Sequence, residues 1–402
     1  MKKVTISLLF TLLLWPVIAQ HEMERVLREI EDNSLTLRLI REEVTAQKLN
    51  NRTGIYLPNP EVEFNYLWGS PAPVGNRTDV SVTQSFDFPT AYGHRSRIAK
   101  LENANLDLRY RSERLHLLLR VRQLCAELVY YNALSKEYSV RLANAQRIAD
   151  TYQMRFDRGD ANILEKNKAQ LELTTIGNEM HRIETERSSL LNELKALNGG
   201  HRIAFTATET EYGMLPPDFE EWVAAAEAIS PVLQYVRGQM EISRQQLQLN
   251  RALGLPRLTA GYMSEKVVSE RFQGVTVGVT IPLWENRNRV KQAKAALLAA
   301  ETALEDSRVQ FYHRLQNLFL KASRLQKEAY SYRDALSSYH NGAYLTKALE
   351  SGEISLLNYL LEMTYYYDVM NRVLETEKEL GLTLAELSAV ECSTYLTQIG
   401  AE

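Results

Sequence analysis

Between Val121 and Phe156 apolar residues recur at alternating spacings of three and four. The series is Val121, Leu124, Leu128, Tyr131, Tyr138, Leu142, Ala145, Ala149, Tyr152 and Phe156, and Ser135 is its one polar member. A second series, Val290, Leu297, Leu304, Phe311, Leu318, Leu325, Tyr332 and Tyr339, recurs every seven residues. A sustained seven-residue repeat implies coiled-coil-like packing with left-handed supercoiling. The pattern predicts helices over roughly Glu22–Asn51, Arg95–Phe156 and Ala161–Leu197, then Phe219–Ala252, Arg289–Glu350 and Ile354–Val390. At ~1.5 Å per residue each long helix is on the order of 95 Å and each shorter one ~45–60 Å. Two short helices end to end match one long one. These lengths predict a tube-like bundle with a non-helical belt partway along it, and Gly199 to Asp218 is the natural linker there.

Four segments alternate with a period of two instead, which puts each set on one strand face. In Glu61–Trp68, Val62, Phe64, Tyr66 and Trp68 oppose Glu61, Glu63 and Asn65. In Asp79–Phe88, Val80, Val82, Phe86 and Phe88 alternate with polar residues, with Gln84 the exception. Arg257–Ser264 alternates less cleanly, and in Gly274–Ile281 Val275, Val277, Val279 and Ile281 oppose Thr276, Gly278 and Thr280. Such strands either pack their apolar face on a helix or turn it to lipid. The helices already turn their apolar seams toward one another, which favours lipid. Spanning strands have about 9–11 tilted residues, and four cannot close a barrel whose smallest form has ~8. Spanning therefore implies a barrel shared by several chains, and a trimer gives twelve strands.

The chain is written twice. YQMRFDRGDANIL (Tyr152–Leu164) and YLTKALESGEISLL (Tyr344–Leu357) set Gly159 and Gly352 193 positions apart, as are Ile163 and Leu356. Phe88-Pro89 and Ile281-Pro282 repeat the offset. Ordered landmarks at one offset are the mark of an internal repeat. The predicted organisation is an export segment at 1–20, a first repeat at 21–198, a linker at 199–217, a second repeat at 218–391 and a tail at 392–402.

Composition narrows the function. Apolar residues are 45% and charged residues 24%, the profile of a folded chain. Gly 18 and Pro 11 are few for 402 residues, which suits long elements. A net charge of -3 gives no reason to expect nucleic acid. No apolar run reaches the ~18 residues of a membrane helix. Lys2, Lys3, the apolar Val4–Trp15 and the Ala19-Gln20 step read as a secretory signal. Cys125 and Cys392 are too few and too far apart for a disulfide framework and are expected as unpaired thiols. The chain carries no G-x-S-x-G, P-loop, H-E-x-x-H or C-x-x-C motif, and its seven His residues have no ligand-like spacing. No enzyme, no cofactor and no metal site is expected.

The strand-to-helix junctions VTIPLWENRNRVKQAKAAL (Val279–Leu297) and FDFPTAYGHRSRIAKLENA (Phe86–Ala104), the paired turns at Arg158-Gly159 and Ser351-Gly352, and Ile229–Pro256 together resemble the TolC family of outer-membrane efflux proteins. The resemblance covers the mature chain nearly end to end. It implies a mainly α fold with a small β part: a homotrimeric α-barrel crossing the periplasm and a shared 12-stranded β-barrel in outer-membrane lipid. It also implies a passive exit duct of a tripartite efflux or type I secretion system in a Gram-negative bacterium. Such a duct is gated at its periplasmic tip and works with a periplasmic adaptor (membrane fusion) protein and an inner-membrane pump, proton-driven (RND) or ATP-driven (ABC). An acidic residue six positions after the second tip glycine lines the closed aperture in the family, and here that position is Asn358, while its counterpart in the first copy is Glu165. The tip candidates are Asp157, Arg158, Gly159, Asp160, Glu165, Gly352, Glu353 and Asn358, and the barrel-lumen candidates are Glu61, Glu63 and Asp87. The competing expectation is a soluble periplasmic coiled-coil adaptor or scaffold without a channel.

Overall fold

The structure is a computed structural model and describes residues 15–209, 215–338 and 342–399. Most of the predicted export segment lies outside these residues. Among the described residues the order is α1 (Trp15–Asn33), α2 (Leu35–Asn50), β1 (Glu61–Trp68), β2 (Asn76–Phe86), α3 (Pro89–Asp157), α4 (Ile163–Leu197), α5 (Phe219–Ile229), α6 (Pro231–Ala252), β3 (Arg257–Val267), β4 (Glu270–Thr280), α7 (Arg289–Ser338), α8 (Gly342–Glu350) and α9 (Leu356–Ile399). This is the expected long-helix fold with one small antiparallel sheet.

Two helices expected to be continuous are divided. Ser34 separates α1 from α2 and Ser230 separates α5 from α6, at matching places in the two copies. Each serine is buried, and its hydroxyl accepts the backbone N–H three residues on, from Leu37 and Leu233, both at 3.4 Å. A serine that satisfies an orphan N–H starts a new helix, and Pro231 at the first helical position lacks an N–H to satisfy. The expected helix Arg289–Glu350 is described as α7 and α8, on either side of residues outside the described set. At the other end α9 continues through the expected tail to Ile399. The side chain of Cys392 is outside the described set.

Contacts divide the chain into two units: Met1–Arg38, Glu113–Ala226 and Tyr312–Glu402 in one, Leu39–Ser112 and Glu227–Phe311 in the other. In the first, the periodic seam of α3 is buried. Val121, Leu124, Cys125 and Leu128 meet Val26 and Ile30 of α1 and Leu190 and Leu194 of α4. Complete burial of one such aliphatic side chain is worth ~1.5–3 kcal/mol. Burial also pushes the Cys125 thiol up to about 12, so it stays protonated at neutral pH. The segment after α4 is no loose connection. Ile203 and Phe205 enter the same core. The N–H groups of Thr206 and Ala207 both donate to the Glu22 carboxylate at 3.0 Å, and Asn132 Nδ2 donates to the carbonyl of Ala207 at 2.9 Å. Extended backbone in a core needs such partners, because an unpaired buried polar group is costly.

In the second unit α6 lies close against α3. Gly238 meets the side chain of Asn105, which is buried with neither amide atom hydrogen-bonded. A Cβ at Gly238 would sit 2.3 Å from Asn105 Oδ1. Gly238→Ala is therefore expected to destabilise the fold by about 1–3 kcal/mol through overpacking. Adding Asn105→Ala should recover most of the loss. A double-mutant cycle in thermal or denaturant unfolding measures this coupling, and two additive single effects would contradict the close approach.

The sheet belongs to the second unit and has the order β1-β2-β3-β4, all antiparallel. Two hairpins, one from each copy, join through the β2–β3 pairing from Arg77↔Val267 to Phe86↔Leu258. β3 and β4 are longer than expected and meet in a two-residue turn. The charged pairs Glu265, Lys266 and Glu270, Arg271 interrupt the apolar alternation without interrupting the strands. Gln84, the exception in strand two, reaches the carbonyl of Pro58 at 2.8 Å.

Candidate functional site

The two tip turns are built alike. In the first, Gly159 N–H donates to the carbonyl of Phe156 at 3.0 Å and Asp160 N–H to that of Arg155 at 2.7 Å. In the second, Gly352 N–H donates to Leu349 at 3.2 Å and Glu353 N–H to Ala348 at 2.9 Å. These are the two bonds of a Schellman motif, whose pivot residue adopts a left-handed conformation. Gly159 has φ 80° and Gly352 has φ 78°. The following helices then start on equivalent caps. Asn162 Oδ1 accepts from Glu165 N–H at 3.0 Å, and Glu165 Oε2 accepts from Asn162 N–H at 3.0 Å, a complete capping box. In the second copy Ser355 Oγ accepts from Asn358 N–H at 3.2 Å, and Asn358 has no carboxylate to reciprocate. Glu165 is thus a capping residue of α4, half-buried against its own turn. The sequence carries a signal for both caps that the charge pattern alone does not reveal: Asn162 with Glu165 three residues on, and Ser355 before the apolar run of α9.

Asp157, Arg158, Asp160, Glu353 and Asn358 are exposed around these turns. Asp157 accepts from Gln153 one helical turn back at 2.9 Å. Asp160 and Glu353 occupy equivalent places just before a helix N-terminus, where a negative charge is favoured by the helix dipole.

One cluster in the first unit joins both turns. Ile148, Ala149 and Tyr152 of α3 and Ala169 of α4 pack with Leu356, Tyr359 and Met363 of α9. Polar contacts tie the same elements. Asn144 Nδ2 donates to Tyr359 Oη at 2.7 Å, and Arg147 pairs with Glu350 at 2.8 Å. Arg141 is buried between the rings of Tyr138 and Tyr367, 4.6 and 4.0 Å from their centroids, with Glu137 as its ion pair at 3.1 Å. Desolvation pushes the Tyr367 hydroxyl up to about 12, so it remains a neutral face for the guanidinium. The run Tyr365-Tyr366-Tyr367 does divide its roles by direction: Tyr365 is exposed, while Tyr366 and Tyr367 pack on the cluster. A cleft of about 420 Å³ opens beside these contacts, lined by Arg147, Tyr152, Arg155, Glu350 and Gly352 among others.

The sheet has two unlike faces. On one, the pairing aligns an apolar row across all four strands, Val62–Val82–Tyr262–Val275, and another across three, Phe86–Leu258–Val279, with Gln84–Ala260–Val277 between them. This face is uncovered; Val62, Phe64 and Val277 are exposed and Val275 retains 85% of its accessible surface. The other face carries Glu61, Glu63, Asp79 and Glu265, with Ser81 Oγ 3.5 Å from Glu63 and Arg77 paired to both Asp79 and Glu265 at 2.8 and 3.2 Å. β1 and β4 are edge strands. Asp87 stands apart from Glu61 and Glu63. It lies beyond the end of β2, paired with Arg95 at 2.6 Å and Arg257 at 3.5 Å, and Arg257 in turn reaches Glu285 at 2.6 Å. These four residues fasten the strand-to-helix junctions of both copies to each other.

No helix of the described residues is long and apolar enough to cross a membrane. No protein-family model matches the chain, and no curated protein sequence matches it. Solved structures do. A membrane protein from Pseudomonas aeruginosa is 18% identical over 92% of this chain and 90% of that chain, with a TM-score of 0.77. The outer membrane protein VceC from Vibrio cholerae is 14% identical over 94% of this chain and 98% of that chain, with a TM-score of 0.75. The CmeC outer membrane channel of Campylobacter jejuni is 14% identical over 92% of this chain and 85% of that chain, with a TM-score of 0.75. At these identities the likeness is one of fold, and the chain has the fold of the TolC-type outer-membrane channels.

Proposed function

We propose that the protein is the outer-membrane channel of a tripartite efflux or type I secretion system, a passive trimeric exit duct. The observation that carries this reading is the sheet: an uncovered apolar face, a polar face behind it and two edge strands. In water such a face would aggregate or be covered, and open edges invite pairing with another chain. In an outer membrane both features are used. Edge β1 of one protomer pairs with edge β4 of the next, three sheets close twelve strands, and the apolar faces meet lipid. Glu61 and Glu63 then line the lumen and favour cations. Asp87 sits at its periplasmic rim, with its charge taken up by Arg95 and Arg257.

In this reading residues 1–20 direct export, and the repeats at 21–198 and 218–391 form the periplasmic helices with 199–217 in the belt. The tip turns at Gly159 and Gly352 gather around the threefold axis, where Asp157, Arg158, Asp160 and Glu353 are repeated by symmetry. A periplasmic adaptor and an inner-membrane pump engage this end, and the pump supplies the energy. The soluble adaptor reading requires the apolar strand face to be covered, and no observation favours it.

The test is single-channel conductance of the purified full chain in a planar bilayer, with mass measured in detergent. A trimer with small, mostly closed conductance is expected. A soluble monomer without conductance would overturn the reading.

A further inference from the structure

The charges of the four strands are sorted by face. Every strand carboxylate, Glu61, Glu63, Asp79, Glu265 and Glu270, lies on the polar face, where Arg77 is neutralised by two of them. The apolar face carries two charges, both positive: Lys266 of β3 and Arg271 of β4. They are directly opposite each other in the hairpin, and both side chains are exposed. Their row continues through Thr78 to Tyr66, so one line across the sheet holds two cations, a hydroxyl and an aromatic ring. Arg271 Nε donates to Ser264 Oγ at 3.1 Å, which leaves the rest of the guanidinium fork turned outward. One row toward the helices the face becomes Phe64–Val80–Ser264–Gln273, and beyond that its one strongly polar side chain is Gln84, which is turned to the carbonyl of Pro58. Trp68 stands at the same end of β1, its ring 6.3 Å from that of Tyr66.

We infer that Lys266 and Arg271 bind the phosphate of a phosphorylated glycolipid headgroup in the outer leaflet. This rests on the outer-membrane reading, which sets the β3–β4 turn on the outer side. Two adjacent cations with no carboxylate on their face attract a dianionic phosphate, and an arginine fork matches its oxygens. The aromatic rings at this level mark the depth where headgroups begin. The apolar rows below receive the acyl chains of the same molecule. A free phosphate has no use for that band, so the lipid is the source that fits. Threefold symmetry repeats the site around the barrel.

The test uses the full chain purified in neutral detergent, with a glucosamine-based lipid carrying two phosphates, its dephosphorylated form and inorganic phosphate as probes, read by native mass spectrometry and by titration. The wild type is expected to retain the phosphorylated lipid and to release the dephosphorylated one. Lys266→Gln with Arg271→Gln should weaken retention about thirtyfold, at roughly 1 kcal/mol per cation near an anionic surface. Lys266→Arg with Arg271→Lys should keep it. Equal retention by the wild type and the Gln pair, indifference to the phosphates, or full competition by millimolar inorganic phosphate would each overturn the inference. Conductance measured on the same samples separates the two readings. A conducting trimer that fails these tests loses only the lipid site, whereas a chain that neither inserts nor conducts loses both.

Discussion

Val275→Arg will block assembly in the outer membrane, and Thr276→Arg, one residue along, will not. Val275 is the end of a row that is apolar across all four strands, and its side chain is almost fully exposed. In water an exposed valine is replaceable, with an expected change within about 0.5 kcal/mol. In lipid an arginine near the midplane of a barrel strand costs about 2–4 kcal/mol, and a trimer would carry it three times. Thr276 pairs with Gly261 on the polar face. An arginine there meets water in the lumen, so insertion should be normal while single-channel selectivity shifts toward anions. The measurement is the fraction of folded trimer recovered from outer membranes, followed by reversal potentials for Thr276→Arg. Equal recovery of wild type and both variants as soluble protein would sink the membrane reading.

Gly159→Val and Gly352→Val are expected to leave the barrel and the trimer intact and to change export. Nothing lies within 4 Å of a Cβ built at either position. The penalty is therefore one of backbone conformation rather than collision: about 1–2 kcal/mol for an L-residue held in the left-handed region, and more for a β-branched one. The turn relieves it by giving up its Schellman bonds, and α4 or α9 then begins in a different place. Asparagine tolerates the left-handed region, so Gly352→Asn should stay close to wild type. Closed-state conductance and pump-dependent export measure the effect. Normal export in both valine variants would count against a role for the tips.

How far the site was legible differs from residue to residue. The turn glycines, their positive φ and the offset between them follow from local sequence alone. Glu61 and Glu63 do share a face, because alternation decides that without reference to any partner. Glu165 is different: its charge suggests an aperture residue, whereas its carboxylate closes a capping box with Asn162, a signature that the spacing Asn162-x-x-Glu165 carries. Asp87 has the parity of a polar-face residue, yet it stands past the strand end between Arg95 and Arg257. The second of these is 170 positions away, beyond what any local pattern can pair. Arg141 had no sequence signal for its surroundings. Its place between Tyr138 and Tyr367 exists only because α9 packs on α3.

The sequence by itself determined the element types, the two-faced strands and the matched turns at one offset. Periods of two and three-to-four are properties of the backbone's own repeat, so they are written into every few residues. It also held the division of each first helix at Ser34 and Ser230, as caps awaiting recognition. The tertiary structure decided what each face meets. It put Ile203 and Phe205 of a presumed linker into a helical core, paired β2 with β3 across the two copies, and left the apolar side of the sheet without a cover. A face is fixed by local geometry, whereas its partner is fixed by whichever distant segment gains most by burying against it.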